Sequence, residues 1–184
     1  MIFQEPGTSL NPVMTVGRQV VEAIEAHTPL RGAAARTRAI EWLTRVGIPE
    51  PERRFDDYPF RMSGGQKQRV MIALALAAEP DFLVADEPTT ALDVTIQAQV
   101  LALLRELLAE RGMGLLLIPH DLAVVSGMAH RVALMYAGQI VEVAEAREFF
   151  AQPRHPYAQA LLRALPSAEG RGQPLMAIAG TVPP

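Results

Sequence analysis

Two periodicities alternate along the chain. Apolar residues recur at helical spacing from Val16 to His27 and again from Ala33 to Val46, closed by the stop signals Thr28-Pro29 and Gly47 with Pro49. These segments form a helical section. Ser63 opens an alanine- and leucine-rich helix running to about Glu79, with Gln66 three residues on in the spacing of a capping box, and Pro80 ends it. Phe82 to Ala85 is a short apolar run stopped by Asp86-Glu87-Pro88, the pattern of a strand buried on both faces of a parallel sheet. Asp93 stands where it can cap the next helix, whose Ile96, Val100, Leu103, Leu104, Leu107 and Leu108 repeat at helical spacing until Gly112. Leu115 to Ile118 reads as a second buried strand, ending at Pro119-His120-Asp121.

At the front, Met1 to Phe3 reads as the tail of a strand, and Glu5 to Pro12, with two prolines, a glycine and an asparagine, as a loop. Beyond His120 comes a further helix. Arg131 to Tyr136, a turn at Ala137-Gly138-Gln139, and Ile140 to Val143 then make a hairpin pattern. Helices are expected near Arg147 to Ala151 and Tyr157 to Leu165, and the glycines and prolines from Pro166 onward mark a loosely held tail. Strand, helix, strand order with polar residues at the strand ends is the grammar of an open α/β sheet, where ligands sit beyond the carboxyl ends of the strands. Asp86, Glu87 and His120 fall there.

Bulk composition narrows the classes without choosing among them. A chain of 184 residues, 49% apolar and 20% charged, fits one globular domain with a real core. Its net charge of -3 offers no basic face for a nucleic-acid backbone, so no nucleic-acid partner is expected. The absence of cysteine removes disulfides, thiolate metal sites and thiol nucleophiles, and is compatible with a reducing compartment such as the cytoplasm. The first residues lack a basic segment followed by a long apolar stretch, and the longest apolar run, Val70 to Ala78, is far short of the roughly 20 residues that cross a bilayer. Any membrane contact is therefore expected through partners.

Three constellations carry candidate chemistry. Ser63-Gly64-Gly65-Gln66 opens a helix: glycines let amides approach closely, serine adds a hydroxyl, and the helix amino end favours an anion such as phosphate. The same four residues also serve simply as a helix cap. Asp86 is delivered by an apolar strand to a position suited to magnesium beside a nucleotide, with Glu87 next to it able to polarise an attacking water. Two solvated acids in a turn are the alternative. His120, at the end of the neighbouring strand, can exchange a hydrogen bond with a transferring phosphate, or be merely structural. Gln4 in its loop and Asp93 at its cap are weaker candidates alone.

Order and spacing join these residues into one pattern. Gln4 after a strand, Ser63-Gly64-Gly65-Gln66, the apolar strand ending Asp86-Glu87-Pro88-Thr89, then Ala91-Leu92-Asp93 and His120-Asp121 resemble the successive motifs of an ATP-binding cassette (ABC) ATPase. The resemblance spans essentially the whole chain. Met1 to Pro6 with Thr8 to Pro12, Leu92 to Gln99, and His155-Pro156-Tyr157 before Ala160-Leu161-Leu162 are similar to the branch serving oligopeptide and dipeptide importers.

That resemblance implies an α/β domain of the P-loop NTPase type, with a mostly parallel sheet and a helical subdomain. It divides the chain into a glutamine loop with its lead-in (1–15), the helical subdomain (16–62), the rest of the ATPase core (63–145) and a C-terminal extension (146–184). ATP and Mg2+ are the implied cofactors. Gln4 would touch magnesium or the attacking water, Asp86 would hold magnesium, Glu87 would be the catalytic base, and His120 would contact the γ-phosphate. Ser63, Gly64 and Gly65, with Gln66 beside them, would grip the γ-phosphate of ATP held by a second ATPase subunit, with Asp93 at the seam. The implied setting is the cytoplasmic face of the cell membrane, beside permease subunits and, indirectly, an extracytoplasmic solute-binding protein.

Three departures qualify this. Met62 stands where leucine is usual and Pro119 where serine or threonine commonly precedes the histidine; neither removes a functional group. The third is larger. A loop of the form G-x-x-x-x-G-K-[ST] is absent, because the single lysine, Lys67, follows Gln66. The resemblance therefore implies a subunit read from partway through its domain, with catalysis by this piece alone disfavoured and apolar faces of its sheet left uncovered. A half-site acting only with an intact partner is the alternative to an importer ATPase. A DNA-repair type ABC ATPase is a third reading, disfavoured because the span from Gln4 to Ser63 leaves no room for a long coiled coil.

Overall fold

The helical patterns form where the periodicity puts them. In the computed structural model, which describes residues 1–90 and 92–164, the elements of the first part are α1 (Pro6–Ser9), α2 (Val16–His27), α3 (Gly32–Arg45), α4 (Pro51–Arg54), α5 (Gly64–Ala77), β1 (Phe82–Asp86), α6 (Val94–Arg111) and β2 (Gly114–Ile118). Those that follow are α7 (Leu122–Met128), β3 (Arg131–Tyr136), β4 (Gln139–Glu145), α8 (Ala146–Ala151) and α9 (Pro156–Arg163). Where composition led us to expect one domain, the chain forms two compact units, Met1–His120 and the part from Asp121 onward.

In the first unit, β1 and β2 pair in parallel, Leu83 opposite Leu115 and Asp86 opposite Ile118. Ile2 bridges to Ala85 on the other side of β1: its N–H donates to the Val84 carbonyl at 2.8 Å and its carbonyl accepts from Asp86 N–H at 2.9 Å. Met1 to Phe3 thus supplies a strand fragment, and β1 lies central. The expectation of strands buried on both faces needs correction. Leu83 and Ala85 are buried, but Phe82 is 58% exposed, and on β2 Leu116 and Ile118 are 49% and 45% exposed. Among the described residues β2 pairs with a strand on one edge only, so its apolar side chains lack the cover that a central strand receives.

The core of this unit draws Val16, Val20 and Ile24 from α2, Trp42 and Leu43 from α3, Ile72 and Leu76 from α5, and Leu104 from α6. Phe55 packs so closely on α2 that a Cβ at Gly17 would fall inside its ring. Trp42 is 1% exposed and ringed by guanidinium groups: Arg38, Arg45 and Arg111 lie 5.7, 5.0 and 4.9 Å from its ring centre. The arginines reach acids at the far ends of α5 and α6, with Arg38 and Arg111 paired to Glu79 and Arg45 to Glu110.

Smaller corrections come from turn chemistry. The segment Glu5 to Pro12, read as a loop, contains the single helical turn α1, because Pro6 presets the backbone at the first helical position and the Thr8 and Ser9 hydroxyls donate to the Glu5 carbonyl. Helix α4 starts in the same way at Pro51, after Glu50 in a left-handed conformation.

In the second unit, β3 and β4 form the expected antiparallel hairpin. Ala137 (φ 47°) and Gly138 (φ 75°) both take the left-handed conformation of a two-residue turn, joining Tyr136 to its partner Gln139. Val125, Val132, Ala144, Ala146, Phe149 and Ala158 close the core, and Phe149 is fully buried. Helix α9 ends at Arg163 rather than Leu165, and Leu165, like the tail from Pro166 on, lies outside the described residues.

Glu142 fastens α9 to the hairpin. Its carboxylate accepts from the backbone N–H groups of Arg154 (3.0 Å) and His155 (2.8 Å), while His155 Nδ1 accepts from Tyr157 N–H at 3.1 Å. Tyr157 in turn packs on Tyr136, ring centres 4.6 Å apart. The His155-Pro156-Tyr157 segment is therefore a helix start: cap, first-turn proline and aromatic anchor. The two amide donors, Arg154 first, hold the Glu142 carboxyl below the usual carboxylate range. A carboxyl whose folded value is lowered contributes stability above its unfolded value, near 4.3 for glutamate, and loses it as pH falls through the folded value. Stability of this unit is expected to drop as pH is lowered below about 4. Glu142→Gln should remove that part of the pH dependence in denaturant melts followed between neutral and acid pH.

Candidate functional site

The acids stand at the carboxyl end of β1 for a backbone reason. Glu87 takes a left-handed conformation (φ 42°), and its N–H donates to the Ile118 carbonyl at 2.7 Å, tying the turn after β1 to the end of β2. Left-handed backbone at a non-glycine residue is uncommon and costly, so the surrounding contacts hold it. Pro88 follows, and Thr90 N–H returns to the Glu87 carbonyl at 3.2 Å, closing a four-residue turn.

This turn gathers residues far apart in sequence. Gln4 Nε2 donates to Glu87 Oε2 at 2.9 Å, across 83 positions. The Thr90 hydroxyl donates to the same oxygen at 2.8 Å and lies 3.2 Å from His120 Nδ1. Gln4, Glu87 and His120, expected to act together, are therefore joined in one hydrogen-bonded chain. Thr90 is the link that sequence reasoning missed. Its signal was present, a hydroxyl three residues after the acid within a proline turn, but threonine there reads equally as ordinary turn chemistry.

Ser63, Gly64, Gly65, Gln66 and Asp93 form a second group. Gln66 N–H donates to Ser63 Oγ at 3.3 Å and Ser63 N–H donates to Gln66 Oε1 at 3.0 Å, completing the capping box. With Gln66 N–H committed to Ser63 Oγ, the Gly64 and Gly65 amides and the hydroxyl proton of Ser63 remain as donors at the amino end of α5. The glycines differ in role. A Cβ at Gly65 would come within 2.7 Å of Ile96 Cγ2, so its bareness is demanded by packing on α6, whereas one at Gly64 would meet only ordinary contact with Leu92, 3.7 Å away. Asp93 caps α6, its carboxylate accepting from Ile96 N–H at 2.9 Å, so it shares this corner and not the carboxylate cluster. Ala91 lies outside the described residues.

The donor set at the first group suits magnesium. Gln4 spends its amide N–H on Glu87, which leaves its side-chain carbonyl oxygen outside that bond, and Asp86 closes β1 opposite Ile118. Among the described residues no cluster of three or more metal-binding side chains exists. Magnesium asks for little more, since it keeps several waters and is held by one or two carboxylates plus substrate phosphates.

Comparison with known proteins meets this geometry. Residues 1–90 match the ABC transporter family model, and residues 141–184 match that of the oligopeptide/dipeptide transporter C-terminal region. The ATP-binding cassette MJ0796, a dimer in a post-hydrolysis state bound to ADP and Pi, superimposes with a TM-score of 0.68 at 31% identity, over 79% of this chain and 62% of its own. Clostridium perfringens cbiO1, part of the ABC transporter complex cbiONQ, gives a TM-score of 0.70 at 31% identity, over 82% and 58%. A sheet end carrying Gln4, Glu87 and His120, a capped Ser-Gly-Gly-Gln helix and these matches define the fold class as that of the ATP-binding cassettes of ABC transporters, to which the chain is similar.

Within that class its relatives are peptide-import ATP-binding proteins. It is 55% identical over its whole length to the dipeptide transport ATP-binding protein DppD of Escherichia coli (strain K12), covering 56% of that protein. It is 53% identical to the oligopeptide transport ATP-binding protein OppD of Bacillus subtilis (strain 168), covering 51%. The chain thus spans about half the length of the curated relatives it matches. No helix among the described residues is long and apolar enough to cross a membrane.

Proposed function

We propose that this chain is the part of an ATP-binding subunit that carries the hydrolytic carboxylate and the γ-phosphate grip, in an importer taking up peptides or similar small solutes. The observation that carries the reading is the hydrogen-bonded chain from Gln4 through Glu87 and Thr90 to His120 at the carboxyl ends of β1 and β2. In an open α/β sheet this is where substrate sits. Glu87 takes the proton of the attacking water, Gln4 fixes the carboxylate from one side, and His120 faces the transferring phosphate. Asp86 and Gln4 would hold magnesium, which when bound supplies charge neutralisation for the phosphates. Ser63, Gly64, Gly65 and Gln66 offer an anion the free donors of a helix amino end, with Asp93 at the same corner.

The partners follow from the same reading. ATP gripped by the Ser63 corner is held by a second ATPase subunit, identical or different. The helical section, residues 16–62, docks on permease subunits, and the extracytoplasmic solute-binding protein is reached only through them. The place of action is the cytoplasmic face of the cell membrane.

A second reading has one observation in its favour: these 184 residues contain no G-x-x-x-x-G-K-[ST] segment to cradle the β- and γ-phosphates. On that reading the chain serves as a half-site, lending its Ser63 corner to an intact partner. Magnesium-dependent ATP binding and turnover by the purified chain and its Glu87→Gln variant test the half-site reading. Absence of turnover in both is expected if phosphate cradling must come from elsewhere. Turnover by the wild type that is lost in Glu87→Gln overturns the half-site reading.

A further inference from the structure

We propose that Thr90 is a positioning residue that fixes the ring tautomer of His120 and selects the oxygen with which Glu87 acts. A threonine hydroxyl has one proton to give and two lone pairs to offer. Its oxygen lies within hydrogen-bond reach of Glu87 Oε2 at 2.8 Å and His120 Nδ1 at 3.2 Å. A carboxylate can only accept, so the hydroxyl proton goes to Glu87, and toward the imidazole Thr90 has only a lone pair left. His120 Nδ1 must then carry the hydrogen. In the neutral ring Nε2 is consequently bare, a proton acceptor facing away from Thr90.

The same bond orders the carboxylate. Glu87 Oε2 takes two donors, Gln4 Nε2 and the Thr90 hydroxyl, which leaves Oε1 as the oxygen with its lone pairs open. The turn that closes from Thr90 N–H to the Glu87 carbonyl, together with the left-handed Glu87 backbone, holds the hydroxyl in place. Two groups from distant parts of the chain, the Glu87 carboxylate and the His120 ring, are thus set by one side chain. The assignment of the ring proton stands on hydrogen-bond chemistry alone; the use made of Oε1 and Nε2 rests on the proposed ATPase reading.

The two are separable by experiment. Long-range 1H–15N NMR of the full chain at about pH 8, above the usual imidazole range, reads the tautomer of each of its four histidines. The expected result is the Nδ1–H form for His120, its loss in Thr90→Val, and its recovery in Thr90→Ser, which keeps the hydroxyl. An Nε2–H form in the wild type, or a Thr90→Val spectrum unchanged at His120, overturns the proposal whatever the outcome for ATP. If the tautomer is as expected but no nucleotide is turned over even beside an intact partner ATPase subunit, the ATPase reading fails and the Thr90 assignment stands.

Discussion

On the proposed reading the chain stimulates an intact peptide-importer ATPase subunit, and Ser63→Arg is expected to lower that stimulated turnover by about 10²–10³-fold, the usual cost of removing one preorganised donor from a developing anion. The argument begins at the end of α5. Ser63 Oγ already accepts from Gln66 N–H, so the hydroxyl proton and the Gly64 and Gly65 amides are the donors left for a phosphate. An arginine removes the hydroxyl and places a long side chain across the glycines. It also costs the helix its cap, about 1 kcal/mol. Ser63→Thr controls for this, since it keeps both cap and hydroxyl and should retain stimulation. Turnover of the mixed pair, measured against the partner alone, checks the expectation. Equal stimulation by wild type and Ser63→Arg would remove the Ser63 corner from the site.

The second large effect is on stability. Trp42→Ala is expected to cost the first unit about 3–5 kcal/mol, as for other buried aromatic truncations. Trp42 is 1% exposed, and its ring is the platform on which Arg38, Arg45 and Arg111 lie while they reach Glu79 and Glu110 at the ends of α5 and α6. Those ion pairs are partly exposed and worth little singly, so most of the loss comes from the cavity. Trp42→Phe fills most of that space. It also removes an indole N–H that is buried without a partner among the described residues, so it should keep most of the stability. Urea unfolding followed by circular dichroism measures both, and a cost below about 1 kcal/mol for Trp42→Ala would show that the ring is not a structural anchor.

What could be read from the sequence was whatever is enforced over short range. Val16–His27 is a helix with its expected bounds, the Ser63 and Gln66 box closes in both directions, Asp93 caps α6, and Gly112 ends it in the left-handed conformation. Each depends on contacts within a few residues. Long-range geometry was legible only where ordered motifs announced it: the resemblance named Gln4, Glu87 and His120, but nothing in the spacing places Thr90 between two of them. Glu142 escaped notice because its partners are backbone amides, which leave no mark on the sequence at Arg154 or His155. The exposure of Leu116 and Ile118 escaped too, since an apolar run states that a strand can be buried and not that neighbours cover it.

The placement of the aromatic rings gives the two units separate optical signatures. Trp42 is the only tryptophan and sits in the first unit, so emission excited at the red edge reports there alone. Tyr136 and Tyr157, packed with their rings tilted at 51° in the second, dominate what near-ultraviolet dichroism can see of the hairpin and α9. Heating the unlabelled chain while recording both signals reveals whether it melts as one cooperative body or as two, and so whether the hydrogen-bonded chain from Gln4 to His120 in the first unit holds its shape without the second.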